Sequence, residues 1–227
     1  MIYITAFAVL IIAYLLGSLN GSIILSSLKG EDIRKLGSGN AGSTNMLRTY
    51  GKKYAAFTFL VDFFKGVIAV LLGVLVCNLI KNNTNGIFNT ASIDTPFKAA
   101  LLDSLKYIAG IGAILGHVFP LYFGFKGGKG IATGSAIIIT INPVVGITVT
   151  VLSIAVMAVS KYVSLGSVMS GFLYIIGSLI KDILVSGSIN ISNLLFGIII
   201  TVIIVTKHIP NIKRLLNGTE NKLGQKK

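Results

Sequence analysis

Long apolar runs recur along this chain, and no other feature constrains its fold so strongly. A helix rises about 1.5 Å per residue and the hydrocarbon core of a bilayer is about 30 Å thick, so about 20 mostly apolar residues are needed to cross it. Runs of that kind extend from Ile2 to about Leu28, Tyr54 to Ile80, Ala99 to Leu121, Val163 to Ile180 and Ile191 to Thr206. A further stretch, from Ile131 to Ser160, is too long for one untilted span and short for two. Asn142-Pro143 interrupts it. Proline lacks an N–H and pushes its predecessor out of the helical region, so two short helices meeting there are expected. The reading is an all-α, polytopic integral membrane protein with about seven transmembrane helices. With 53% of its 227 residues hydrophobic, a soluble core is set aside.

Basic residues set the orientation, because cytoplasmic loops are enriched in Lys and Arg. Seven spans place Lys29, Arg34, Lys35, Arg48, Lys52, Lys53, Lys126, Lys129, Lys161 and the Lys207–Lys227 tail on one side. Lys81, Lys98, Lys106 and Lys181 fall on the other. The N-terminus is therefore expected outside and the C-terminus in the cytoplasm, with a polar outward loop at Lys81–Pro96. Topology and anionic headgroups account for the net charge of +13, so membrane lipid is the expected partner and nucleic acid is not. Met1–Leu16 has no positive n-region and no small-residue cleavage site before Lys29, and reads as a retained span. Cys77 is the only cysteine, which excludes an internal disulfide or a Cys-based metal site. The cytoplasmic loops hold no carboxylate cluster or His pair at ligand spacing, so neither metal nor cofactor is expected.

Polar residues gather most densely in the first cytoplasmic loop, Asp32 to Asn45. Gly37, Gly39 and Gly42 free the backbone there, allowing successive N–H groups to form a concave anion nest. Ser38, Asn40, Thr44 and Asn45 add side-chain donors, and Arg48 follows with a planar fork suited to phosphate oxygens. The glycines also spell G-x-G-x-x-G, but a dinucleotide fingerprint requires a preceding strand and a βαβ unit, whereas a membrane helix precedes this one.

A second cluster lies where the third span meets the cytoplasm: Gly116-His117-Val118-Phe119-Pro120, then Lys126-Gly127-Gly128-Lys129-Gly130. Lys129 among glycines again points to phosphate, while Lys126 reads as a positive-inside residue. The P-loop pattern fails, since Phe123 stands five before Gly128 and Gly130 follows Lys129, so nucleotide hydrolysis is not expected. His117 near a helix end reads as a structural hydrogen-bonding group. Asp62 and Lys65, spaced i, i+3 in the second span, read as an ion pair holding helices. His208 and Asn211 share that spacing just past the last span.

Together these residues carry a resemblance. The loop Asp32–Arg48, Asp62-x-x-Lys65-Gly66, Gly116-His117-x-Phe119-Pro120 with Gly127-Gly128-Lys129-Gly130-x-Ala132-Thr133, and Asn211-Ile212-x-Arg214-Leu215 resemble the bacterial acyl-phosphate:glycerol-3-phosphate acyltransferases along nearly the whole chain. The resemblance implies a single transmembrane acyltransferase domain over 1–227, seated in the bacterial cytoplasmic membrane with its site facing the cytoplasm. Its implied substrates are a fatty acyl phosphate and glycerol 3-phosphate, its products lysophosphatidic acid and phosphate, and its functional neighbour the enzyme that makes acyl phosphate.

By the same resemblance Ser38, Arg48, Lys129, His208 and Asn211 match the family's catalytic positions. Gly37, Gly39, Asn40, Thr44, Asn45, His117, Gly127, Gly128 and Ser167 fall among its substrate-binding ones. Ser38 and the Gly37–Gly39 backbone are assigned to the acyl-phosphate phosphoryl group, Lys129 to transition-state charge, and Arg48, His208 and Asn211 to glycerol 3-phosphate. The donor's phosphate is expected to take the hydroxyl proton, with a nucleophilic Ser38 as the competing mechanism.

The chain departs from the family pattern at four places. Asn20 stands where proline is usual and Ser43 where alanine is common, neither expected to touch the chemistry. Lys161 and Ile209 stand where arginine is usual, which removes a bidentate fork. An acyltransferase using acyl-CoA or acyl carrier protein is disfavoured, because its His-x-x-x-x-Asp pair is absent. The reading from another class, a transporter of phosphate or a small organic anion, lacks repeated halves.

Overall fold

The computed structural model describes residues 1–82 and 95–223, and every regular element among them is helical. Ten α-helices run in the order α1 (Ile2–Gly17), α2 (Gly21–Ser27), α3 (Ser43–Tyr50), α4 (Lys52–Asn82), α5 (Pro96–Asp103), α6 (Leu105–Val118), α7 (Ile131–Ile141), α8 (Pro143–Ser160), α9 (Val163–Lys181) and α10 (Ile191–Leu216) among the described residues. Apart from its ends, the polar loop expected at 81–96 lies outside them.

The all-α, membrane-integral reading holds. Among the described residues five helices are long and apolar enough to cross a bilayer, and α1 with α2 makes a sixth if that bent pair is one span. The short apolar α7 has 11 residues. On α4, Phe57, Phe64, Ile68, Leu71, Leu75 and Leu79 point outward. Such a stripe would be a liability in water and is at home against lipid.

Two breaks differ in how far they were foreseen. Asn142 does interrupt the long apolar stretch: Pro143 opens α8 and the Asn142 side chain accepts from Val145 N–H at 3.5 Å. The first expected span, by contrast, is not one helix, because α1 ends at Gly17 and α2 leaves it at 40°. Asn20 causes this by capping α2. Its Oδ1 accepts from the Ser22 and Ile23 N–H groups, both at 3.1 Å, and so completes a helix start that needs no proline.

The chain forms two compact units, Met1–Ile141 and Asn142–Lys227. In the first, α1 packs on α6, and α4 packs on α6 and α7. Small residues let these backbones close: a Cβ on Gly17 would stand 2.2 Å from the Ala113 carbonyl oxygen, and one on Gly66 2.8 Å from that of Thr133. In the second unit α9 packs against both α8 and α10, with buried Tyr174 donating to Asn193 at 2.8 Å and meeting Phe196 edge-on at 5.9 Å.

Candidate active site

In the first unit the loop between α2 and α3 is built from beneath. Ile23, Ile33, Ala41 and Met46 form a buried cluster under it, packed against Leu36, Tyr50, Tyr54 and Phe123. Asp32 caps the short turn Ile33–Lys35 by accepting from Arg34 N–H at 3.0 Å. Arg34 then folds its guanidinium back onto that carboxylate, with Nε at 2.9 Å from Oδ1 and Nη2 at 2.9 Å from Oδ2. The fork holds the Asp32 carboxyl below its ordinary value. The remaining nitrogen, Nη1, donates to the carbonyls of Phe123 at 2.7 Å and Lys126 at 3.3 Å. A single side chain thus ties the first glycine-rich loop to the second.

The glycines serve that geometry. Gly37 and Gly39 take positive φ, +56° and +72°, and a Cβ on Gly37 would fall 2.3 Å from the Asn45 side-chain oxygen. Asn45 is buried, and its amide is committed to the loop itself. Oδ1 accepts from Ser38 N–H at 2.8 Å, while Nδ2 donates to Leu36 at 2.9 Å and Ile33 at 3.2 Å. Gly39 N–H also turns inward, to the Leu36 carbonyl at 2.9 Å.

Asn45 and the N–H groups of Ser38 and Gly39, expected as donors to a ligand, are here engaged in shaping the loop. Exposed instead are the Ser38 side chain and Arg48, with Asn40 and Thr44 half-buried nearby in sequence. Asn20, read as remote from the chemistry, also reaches the loop, its Nδ2 donating to the Ala41 carbonyl at 3.4 Å.

The second loop packs on the first at Gly128. Gly127 N–H donates to Val118 at 3.2 Å and Gly128 N–H to His117 at 3.1 Å, which folds the loop back over the end of α6. A Cβ on Gly128 would meet the His117 Nε2 at 2.2 Å and the Ala41 carbonyl oxygen at 2.4 Å, so no side chain fits there. Half-buried Lys129 follows directly. His117 itself is 3% exposed, and its Nδ1 lies 3.0 Å from the Lys65 ammonium. The residue expected among the substrate-binding ones thus lies in the interior, beneath the loop. Asp62 and Lys65 do pair, at 2.8 Å, as the sequence indicated.

His208, Asn211 and Ser167 belong to the second unit. His208 is buried on α10 with Nδ1 donating to the Ile204 carbonyl at 2.8 Å. Ser167 is buried and donates to Val163 of its own helix at 2.8 Å. Asn211 meets a partner missed by sequence reading, Glu220. The Glu220 carboxylate accepts from Asn211 Nδ2 at 2.7 Å, Ser164 Oγ at 2.9 Å and Arg214 Nε at 2.7 Å. Burial pushes the Glu220 carboxyl up, but these three donors outweigh it and leave it below its ordinary value. The tail returns to the start of α9, where Leu223 N–H donates to the Lys161 carbonyl at 2.7 Å.

A glycine-shaped surface with an exposed hydroxyl, a lysine and an arginine is suited to phosphate-bearing ligands. The sequence profile of the glycerol-3-phosphate acyltransferases matches residues 7–218 of this chain. A glycerol-3-phosphate acyltransferase of Clostridioides difficile is 42% identical over 96% of this chain and 95% of its own. That of Thermoanaerobacter pseudethanolicus is 39% identical over 95% of this chain and 94% of its own. Among solved structures, PlsY (YgiH), an integral membrane glycerol 3-phosphate acyltransferase, superposes in its glycerol 3-phosphate form with a TM-score of 0.76 at 32% identity, covering 97% of this chain and 96% of that one. Its lysophosphatidic acid form does so with a TM-score of 0.74. The chain belongs to the glycerol-3-phosphate acyltransferase family.

Proposed function

We propose that this acyltransferase takes its acyl group from a fatty acyl phosphate. The observation that carries the reading is the pair of glycine-shaped basic loops joined by Arg34 and seated on one another at Gly128, a surface suited to a phosphoryl group on the donor as well as on the acceptor. The first hydroxyl oxygen of glycerol 3-phosphate attacks the acyl carbonyl carbon, the bond from that carbon to the phosphate oxygen breaks, and inorganic phosphate leaves with the hydroxyl proton. Lysophosphatidic acid remains. Ser38 Oγ binds the donor's phosphoryl group, and Lys129 offsets the charge that develops on the carbonyl and leaving oxygens. Arg48, His208 and Asn211 hold glycerol 3-phosphate.

Substrate-assisted proton transfer is favoured over a Ser38 nucleophile by one observation: among the described residues of the first unit, no imidazole or carboxylate hydrogen-bonds the Ser38 hydroxyl. In this reading residues 1–227 work as a single domain of seven spans in the bacterial cytoplasmic membrane. The N-terminus lies outside, the site faces the cytoplasm, and an enzyme making acyl phosphate supplies the donor.

The test is phosphate release by the purified protein from palmitoyl phosphate with glycerol 3-phosphate, beside palmitoyl-CoA and a Lys129→Ala variant. Phosphate and lysophosphatidic acid are expected together, from the acyl phosphate alone, and only with Lys129 present. Turnover of palmitoyl-CoA at a comparable rate overturns the donor assignment, and an acylated Ser38 overturns the proton route.

A further inference from the structure

Beneath the two loops lies a group of ionisable side chains that the proposed chemistry leaves unused. Asp62 is 1%, Lys65 4% and His117 3% exposed. The Lys65 ammonium has three N–H donors, and three acceptors surround it: the Leu19 carbonyl at 2.7 Å, Asp62 Oδ1 at 2.8 Å and His117 Nδ1 at 3.0 Å. Thr133 Oγ donates to the Asp62 carbonyl at 2.9 Å, so α7 steadies the same turn of α4.

A proton on His117 Nδ1 would set donor against donor at 3.0 Å from the ammonium. Asp62 Oδ1 stands farther from the same nitrogen, at 3.5 Å, so the nearer ammonium governs and the imidazole proton is assigned to Nε2, the nitrogen that faces Gly128 beside the Ala41 carbonyl. The carbonyls of His117 and its neighbour Val118 also receive the N–H groups of Gly128 and Gly127. Side chain and backbone of α6's last turn thus grip the two residues that precede Lys129.

We propose that Asp62, Lys65 and His117 are positioning residues for the acyl transfer: Lys65 locks His117 as the Nε2–H tautomer, and His117 in turn fixes the Gly127–Gly128 turn that aims Lys129. The proposal rests on the acyl-transfer reading for what Lys129 does, but the tautomer lock is measurable without turnover. Loss of the lock displaces Lys129 without removing any group that touches substrate. Its signature is a fall in kcat with little change in the KM for glycerol 3-phosphate, because misplacing a reacting group by about 1 Å costs on the order of a hundredfold.

The chain has two histidines, so selective ¹⁵N-histidine labelling of the full-length protein in detergent gives a readable spectrum, with His208→Gln used only to assign signals. His117 is expected as Nε2–H and His208, whose Nδ1 donates to Ile204, as the opposite tautomer. In an Asp62→Asn/Lys65→Met double variant, the His117 signals should become an average of exchanging tautomers and kcat should fall on the order of a hundredfold. An Nδ1–H or doubly protonated His117 in the parent overturns the lock. A double variant with parental kcat and a changed tautomer overturns the positioning role. If the double variant fails to fold, the parent spectrum still decides the lock. A parent with a locked His117 and no turnover of palmitoyl phosphate refutes the acyl-transfer reading instead.

Discussion

Replacing Gly128 by alanine adds one methyl group at the place where the two loops meet. That methyl would stand 2.4 Å from the Ala41 carbonyl oxygen and 2.2 Å from His117 Nε2. Ordinary contact begins at 3.4 Å, so one side must retreat by about 1 Å, and neither is free to do so. Ala41 is fully buried in the cluster under the first loop, and His117 is held from below by Lys65. The displacement therefore passes into the Gly127–Gly130 turn and carries Lys129 with it. A shift of that size lowers kcat/KM by about a hundredfold, which is about 2.7 kcal/mol of transition-state stabilisation. Overpacking also costs about 1–3 kcal/mol of stability.

Initial rates of phosphate release with palmitoyl phosphate measure the first effect, and a thiol-reactive dye reporting thermal exposure of Cys77, the single cysteine, measures the second. Gly134→Ala is the matched control, since its methyl meets only Ile114 Cδ1 at 3.6 Å and α7 gains a better helix former. A Gly128→Ala protein within about threefold of the parent, less than about 1 kcal/mol, would refute the claim that the loops are seated on one another.

Arg34→Lys keeps the charge but cannot hold Asp32 and the carbonyls of Phe123 and Lys126 at once, so kcat/KM should fall by about tenfold in a protein that still folds; unchanged kinetics would remove Arg34 as the tie. For Glu220 the sign follows from a folded-state carboxyl below the ordinary value of 4.5: its contact with Asn211, Ser164 and Arg214 is complete above that pH and is lost as pH falls through the lower folded value. Hydrogen exchange at the Leu223 amide, corrected for intrinsic rate, should show protection at neutral pH, its loss on acidification, and its absence at neutral pH in Glu220→Ala; protection that ignores pH and the variant argues against the tail contact.

Hydropathy made the helices legible because lipid demands long apolar runs whatever their tertiary partners. Asn142-Pro143 was legible as a break because proline acts through its own covalent geometry. Asn20 was not, since a cap depends on where one side-chain oxygen turns. The first loop shows the same limit: composition identified Ser38 and Asn45 as donors, but only packing reveals that Asn45 points its amide inward. His117 was first read as structural and then, by resemblance, as substrate-binding; Lys65, 52 residues away in sequence, decides for the interior. The Asp32-x-Arg34 spacing offered a signal for the inter-loop tie, whereas Glu220 had none, sitting among polar residues past the last apolar turn.

The placement of the buried charges also bears on how the chain enters a membrane. A lone acid or base near the middle of a helix raises the cost of transfer into lipid by about 2.5–3.5 kcal/mol. Asp62 and Lys65 stand one turn apart on the same helix, in contact at 2.8 Å. Their pairing needs no neighbour, so it is available as soon as α4 is wound. The helix can leave the insertion machinery as a locally neutral rod, carrying an internal salt that α6 meets only later, when His117 arrives to accept the last ammonium N–H.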